Sequence, residues 1–188
     1  MRVIAGRLKG RRLEAPTWTG LRPTSDKLRE TLFNVLQHRI AGATFFDGFA
    51  GTGAVGIEAL SRGAAQVTFA DSDRRAAALI AANLQRCGVS EGYTIERADA
   101  VSALGRGRTP LDVVFLDPPY DEGALEPLVV AAMARLDADG LLVLEHASRR
   151  APPPCEVAVL TRVLKSGDSA LAFYSALRSG PLNPGRDQ

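Results

Sequence analysis

The sequence predicts an α/β protein built on a mostly parallel sheet, with an antiparallel hairpin at one sheet edge and a short β-hairpin ahead of the domain. Three observations carry this. From Ala43 onward, short apolar runs alternate with stretches of helical periodicity, the pattern of successive βαβ units. The last two runs, 155–165 and 169–177, are separated only by Ser166-Gly167-Asp168, too little for a crossover helix, so they pair antiparallel. Residues 2–14 carry β-branched and apolar residues broken by Gly6 and Gly10, which favours a hairpin over a helix.

The elements follow in order. APTWTGLRPTSD is a loop by its Pro, Gly and Thr content. Thr24 or Ser25 caps the next helix, Asp26 suits its positive end, and Leu28, Leu32, Val35 and Leu36 recur at helical spacing, which predicts a helix over about 25–38. Strands are read at ATFFD, QVTFAD, YTIERA, LDVVFLD and GLLVLEH. Helices fall at about 53–62, 73–87 and 123–136, with a short one at 100–105, and Gly63 and Gly88 stand as C-terminal caps. Beyond the Pro152-Pro153-Pro154 break, CEVAVLTRVLK and SALAFYSAL supply the edge hairpin, while SGPLNPGRDQ has too little apolar content to order itself. The chain thus divides into a basic hairpin and loop at 1–24, the main domain at 25–178 and a disordered tail at 179–188.

At 188 residues, one domain of ordinary size can bury most of its unfolded surface without staples. Cys87 and Cys155 form no C-x-x-C, and His38 and His146 have no ligand-like neighbours, so all four read as structural, no metal is expected and the compartment is a reducing cytosol. The N-terminus lacks a signal-peptide core and no run of eighteen apolar residues exists, so a cytoplasmic protein without a membrane partner is expected. Charge is unevenly placed. Residues 1–40 hold nine Lys/Arg against three acids, +6, and residues 41–188 hold fourteen against eighteen, −4. Such a basic end is either a solvated arm or a phosphate-contacting one on an otherwise acidic protein.

DGFAGTGAVG, residues 47–56, contains the G-x-G-x-x-G string Gly51-Thr-Gly53-Ala-Val-Gly56, with Asp71 about 20 positions on, where a dinucleotide site would hold a ribose. The strand before these glycines ends in Asp47, however. A carboxylate there opposes a diphosphate by a few kcal/mol at partly desolvated range and favours a cation. S-adenosylmethionine fits, because it has no phosphate and bears a sulfonium and an α-ammonium. Asp47 would reach the ammonium, and Gly51 and Gly53, with Gly48 and Ala50, would let the backbone approach the amino-acid part. Asp71, beside Ser72, suits the ribose of either ligand. Asp99, ending the third strand beside Ala100, stands where an acceptor could take the adenine amine.

Val-Val-Phe-Leu-Asp117-Pro118-Pro119-Tyr120 is the most specific string. A buried strand ends in a carboxylate, and two prolines fix the backbone and remove two donors. A planar exocyclic amine would satisfy the acceptors so exposed: Asp117 and the Pro118 carbonyl take its two hydrogens, while Tyr120 stacks on the base. The string resembles the catalytic motif of methyltransferases acting on adenine N6, cytosine N4 or guanine N2.

Together, Arg2–Leu13 (RVIAGRLKGRRL), Leu21–Asn34 (LRPTSDKLRETLFN), Phe46–Ala64 (FDGFAGTGAVGIEALSRGA) and Asp117–Tyr120 resemble the bacterial RsmD-type family, over about residues 2–177. Those enzymes methylate guanine N2 in small-subunit ribosomal RNA. The resemblance implies a class I S-adenosylmethionine-dependent methyltransferase, with a seven-stranded Rossmann-like sheet behind a small N-terminal β-hairpin. It also implies that Arg22, Pro23 and Thr24 sit by the mouth of the active site. Ribosomal RNA or an assembling small subunit is the expected partner and a monomer the expected state. Arg2, Arg7, Lys9, Arg11 and Arg12, with Arg22 and Thr24, are the expected RNA contacts. Two other readings stand beside this one: a DNA or RNA adenine-N6 methyltransferase, and a non-catalytic RNA-binding module for ribosome assembly.

Overall fold

A computed structural model describes residues 1–18, 25–119, 123 and 125–177. Its elements run α1 (Asp26–Leu36), β1 (Thr44–Gly48), α2 (Ala54–Ser61), β2 (Gln66–Ala70), α3 (Arg74–Arg86), β3 (Tyr93–Glu96), α4 (Ala100–Arg106), β4 (Leu111–Leu116), α5 (Glu126–Met133), β5 (Leu136–Ala147), β6 (Ala158–Ser166) and β7 (Ser169–Ala176). The strands form one seven-stranded sheet in the order β3-β2-β1-β4-β5-β7-β6. Pairing is parallel from β3 to β5 and antiparallel where β7 inserts between β5 and β6. This is the sheet the sequence predicts, including its edge hairpin across Gly167-Asp168.

Successive strand residues point to opposite faces, and each face is covered by its own helices. Phe45, Phe69 and Phe115 face a core shared with α1, α2 and α3, whereas Phe46, Val114 and Leu116 face α4 and α5. The chain winds from β1 to one side through β2 and β3, then returns to the other side through β4 and β5. The crevice at the carboxyl ends of β1 and β4 is therefore the topological switch point, where open α/β sheets bind ligands.

Several boundaries follow the local chemistry read from the sequence. Ser25 caps α1, its side chain accepting the Leu28 N–H at 3.2 Å. Gly63 (φ 100°) and Gly88 (φ 71°) end α2 and α3 in the left-handed conformation. One element departs from expectation: α5 stops at Met133 and β5 starts at Leu136, ahead of Gly140. The Leu111 N–H donates to the Arg135 carbonyl at 2.9 Å, which draws the chain into the ladder early, and a bulge then resets the register before Val113–Leu141. Among the described residues no helix is long and apolar enough to cross a membrane.

The N-terminal segment shows a single bridge, Arg2–Arg12, where a β-hairpin was expected. It does double back, with the Val3 N–H on the Arg11 carbonyl and the Leu13 N–H on the Met1 carbonyl. Other donors go to α2 instead of a ladder. The Ile4 and Ala5 N–H groups donate to the Glu58 carboxylate at 2.7 and 2.9 Å, and the Arg7 and Leu8 N–H groups to the Ser61 carbonyl and hydroxyl. Val3, Leu8 and Leu13 are buried in the core, so the segment is docked against the main domain. Tyr120, Arg22, Pro23, Thr24 and the 179–188 tail, for which the sequence carries expectations, lie outside the described residues.

Candidate functional site

The parallel register brings the acidic residues to one place. Gly48 lies opposite Ala70 of β2 and Leu116 of β4. Asp71 and Asp117, each one residue further on, therefore flank the loop that leaves β1, and the Asp117 N–H donates to the Gly48 carbonyl at 3.3 Å. That loop turns sharply at Phe49, which has φ 60°, a conformation costly for a side chain with a Cβ and common at ligand-binding turns. Gly51 (φ 55°) and Gly53 (φ 74°) continue it in the same region.

Asp47 is 1 % exposed, and its Oδ2 accepts the Gly56 N–H at 2.8 Å from the first turn of α2. The approach is close: a Cβ on Gly56 would stand 2.3 Å from the Phe69 ring. Burial pushes the Asp47 carboxyl up to about 8, the Gly56 N–H pulls it back, and the neighbouring Asp71 raises it further. By its place in the sequence Asp47 is expected to be a fixed anion. Burial instead favours its protonated form, so a cationic partner has to draw the proton off.

Asp71 organises the loop around it. Its Oδ2 accepts the Gly51 N–H at 2.8 Å and its Oδ1 the Asp73 N–H at 2.9 Å, which leaves further lone pairs on both oxygens. Ser72 is exposed beside it, and Gly48 and Ala50 are buried behind it. Asp99 is placed differently from the sequence reading. Because β3 ends at Glu96, Asp99 sits three residues past the strand, exposed, as the N-cap of α4, with Ala100 buried behind it. Its Oδ1 accepts the Ser102 N–H at 2.9 Å, and that bond holds the carboxyl below its ordinary range.

On the other side of the switch point, Asp117 is half-buried, Pro118 buried and Pro119 exposed. The two prolines line a cleft with Leu125, Glu145, His146 and Arg150, the last three from the end of β5 and just beyond it. The site thus spans the ends of four neighbouring strands, β2, β1, β4 and β5: a glycine loop with two carboxylates on one side, and an acceptor-rich turn beside a cleft on the other.

Arg2, Arg7, Lys9, Arg11 and Arg12 are all exposed, although the backbone carrying them is docked. Packing and phosphate contact are therefore compatible uses of one segment. The residues that do the docking were not singled out from the sequence. Glu58 is fully buried and pairs with Arg62 at 2.7 Å while holding the Ile4 and Ala5 N–H groups. Asn83 of α3 accepts the Glu14 N–H at 2.7 Å and donates to the Thr52 carbonyl at 3.0 Å. Arg29, also fully buried, donates to the Arg2 and Ala54 carbonyls. A signal was present: a lone acid inside Gly-Ile-Glu58-Ala-Leu is a charge on an apolar helix that must find partners.

Comparison with known proteins gives the same picture. The chain is 38 % identical over 181 residues to the "Putative rRNA methyltransferase YlbH" of Bacillus subtilis, covering 93 % of this chain and 98 % of that one. It is 42 % identical over 129 residues to the "Ribosomal RNA small subunit methyltransferase D" of Escherichia coli, covering 69 % of this chain and 65 % of the relative. The solved structure described as "Putative methyltransferase yhhF from Escherichia coli" superposes with a TM-score of 0.82 at 35 % identity, over 94 % of this chain and 97 % of that one. With the sheet order, this likeness identifies the fold as that of the class I methyltransferases. The family model described as "Conserved hypothetical protein 95" matches residues 1–175, and the chain belongs to that family, the RsmD-type family that its motifs resemble.

Proposed function

We propose that the protein is an S-adenosylmethionine-dependent methyltransferase that modifies the exocyclic N2 amine of a guanine in small-subunit ribosomal RNA. The observation that carries this reading is the juxtaposition of the Asp47–Asp71 glycine loop with Asp117-Pro118-Pro119 across the β1–β4 switch point. The names carried by the relatives, rRNA and small-subunit methyltransferases, support it.

The residues fit the cofactor. A buried carboxylate at the mouth of α2 suits an ammonium, two positive-φ glycines leave room for the amino-acid part, and Asp71 keeps lone pairs for ribose hydroxyls. The cofactor supplies an already activated methyl group on a sulfonium, so no metal is called for. Everything else falls to the chain. Asp117 and the Pro118 carbonyl accept the two amine hydrogens, which draws the nitrogen lone pair out of conjugation and holds it in line for transfer. The methylated nitrogen then loses its proton to Asp117 or water. The exposed cations of the N-terminal segment hold the RNA backbone, a sequence-independent and salt-dependent contribution. Mass spectrometry of rRNA nucleosides from a strain lacking the protein, with and without its restoration, tests the reading. Loss and return of N2-methylguanosine supports it, whereas a change confined to methyladenosine, or no change, overturns it.

A further inference from the structure

His146 is one of few polar side chains in the core, 4 % exposed, and it stands at the end of β5, the strand next to β4. It lines the cleft shared with Pro118 and Pro119. Its Nδ1 lies 3.0 Å from the Ala147 carbonyl, and its Nε2 is buried with no hydrogen-bond partner among the described residues. A nitrogen facing a carbonyl has to carry the proton, so in the neutral ring Nε2 presents a lone pair. The ring is held neutral by burial, against the pull of the Ala147 carbonyl and with the help of the Lys165 charge. Buried polar atoms are rarely left unpaired. Here the missing partner is an N–H donor, and the cleft through which it would arrive is the one beside the amine-holding turn.

Guanine and adenine differ on this point. In guanine the ring atom next to the exocyclic N2 is N1–H, a donor; in adenine the ring atom next to N6 is N1, an acceptor. Both N1 and N2 of guanine are bonded to C2 and share one edge, so a base whose amine is held at Asp117–Pro118 presents N1–H within the same cleft. We propose that His146 is the residue that reads the base: its Nε2 accepts the N1–H of the target guanine and disfavours adenine by opposing two acceptors. This rests on the guanine-N2 reading and adds the specificity-determining contact to it.

The test uses the full chain and small-subunit RNA carrying either guanine or 2-aminopurine at the methylated nucleotide. 2-Aminopurine keeps the target amine but has a bare N1 lone pair. The wild type should prefer guanine by about 100-fold in kcat/KM, the upper end of what leaving a buried hydrogen-bond acceptor unpaired costs. His146→Phe should lower transfer to guanine and bring the two substrates close together, while the cofactor Kd stays within about two-fold, which also verifies folding. His146→Gln, which returns an acceptor oxygen, should restore part of the preference. If His146→Phe retains the wild-type preference, or His146→Gln restores none, the inference fails while the guanine-N2 reading stands. Failure of the wild type to methylate either RNA overturns both.

Discussion

Replacing Asp47 by Asn removes a titration without removing the shape or the acceptor for the Gly56 N–H. The Asp47 carboxyl sits at about 8 in the fold against 3.8 for an ordinary Asp. The sign follows from proton counting: between these values the native state binds a proton that the unfolded chain has released, so stability falls as pH rises. The contribution is whole below 3.8, is lost at about 1.4 kcal/mol per pH unit, and is fully lost above about 8. At pH 7 the wild type therefore carries a deficit on the order of 4 kcal/mol that Asp47→Asn does not. The spare amide hydrogens of Asn cost about 1–3 kcal/mol, but that offset does not change with pH. Denaturant unfolding of both proteins without ligand, from pH 5 to pH 9, measures the difference. It should move in favour of the variant up to about pH 8 and then level. A difference that is flat across this range would refute the buried-acid account. Binding should show the reverse face of the same linkage. S-adenosylmethionine should release a proton on binding near pH 7, read by calorimetry in buffers of different ionisation enthalpy, and should bind the variant about 1–3 kcal/mol more weakly.

Asp117→Ala should abolish methyl transfer while leaving cofactor affinity within a few-fold, since in the proposed mechanism its carboxylate meets the amine; full turnover on rRNA would displace the assignment. Tyr120→Ala should weaken RNA turnover by about 1–3 kcal/mol through loss of a base stack, and an unchanged KM would argue against stacking. Changing Arg7, Lys9 and Arg11 together to Ala should flatten the dependence of log affinity on log salt by about 0.7–0.9 per lost phosphate contact; an unaltered slope would move the RNA surface elsewhere. Glu58→Gln should cost about 3–5 kcal/mol, because it strips the counterion from Arg62 and turns an amide NH2 towards one of the Ile4 and Ala5 N–H groups. A loss under about 1 kcal/mol would mean that burial of Val3, Leu8 and Leu13, with the Ser61, Asn83 and Arg29 hydrogen bonds, holds the N-terminal segment without Glu58.

Much of this molecule is legible without coordinates, because its main signals are local. Hydrophobic periodicity needs only neighbours in sequence, so the alternating strands and helices of residues 43–147 and the edge hairpin could be read with boundaries a few residues off. The same holds for the Ser25, Gly63 and Gly88 caps, and for the acids placed at or beside strand ends in Asp47, Asp71 and Asp117. What the sequence could not supply is whatever depends on a distant partner. Residues 1–14 have the composition of a hairpin, yet the Ile4, Ala5, Arg7 and Leu8 N–H groups are claimed by Glu58 and Ser61, more than fifty positions away. Asp99 looks like a strand-end residue, but β3 stops at Glu96 and Asp99 caps α4 instead. Asp47 looks like a standing negative charge, and His146 like filler. Tertiary burial favours the protonated form of the first and gives the second a buried nitrogen without a partner among the described residues, beside the Pro118–Pro119 turn. Charge state and hydrogen-bond satisfaction depend on desolvation, which is a property of everything packed around a group and is written at no single position of the chain.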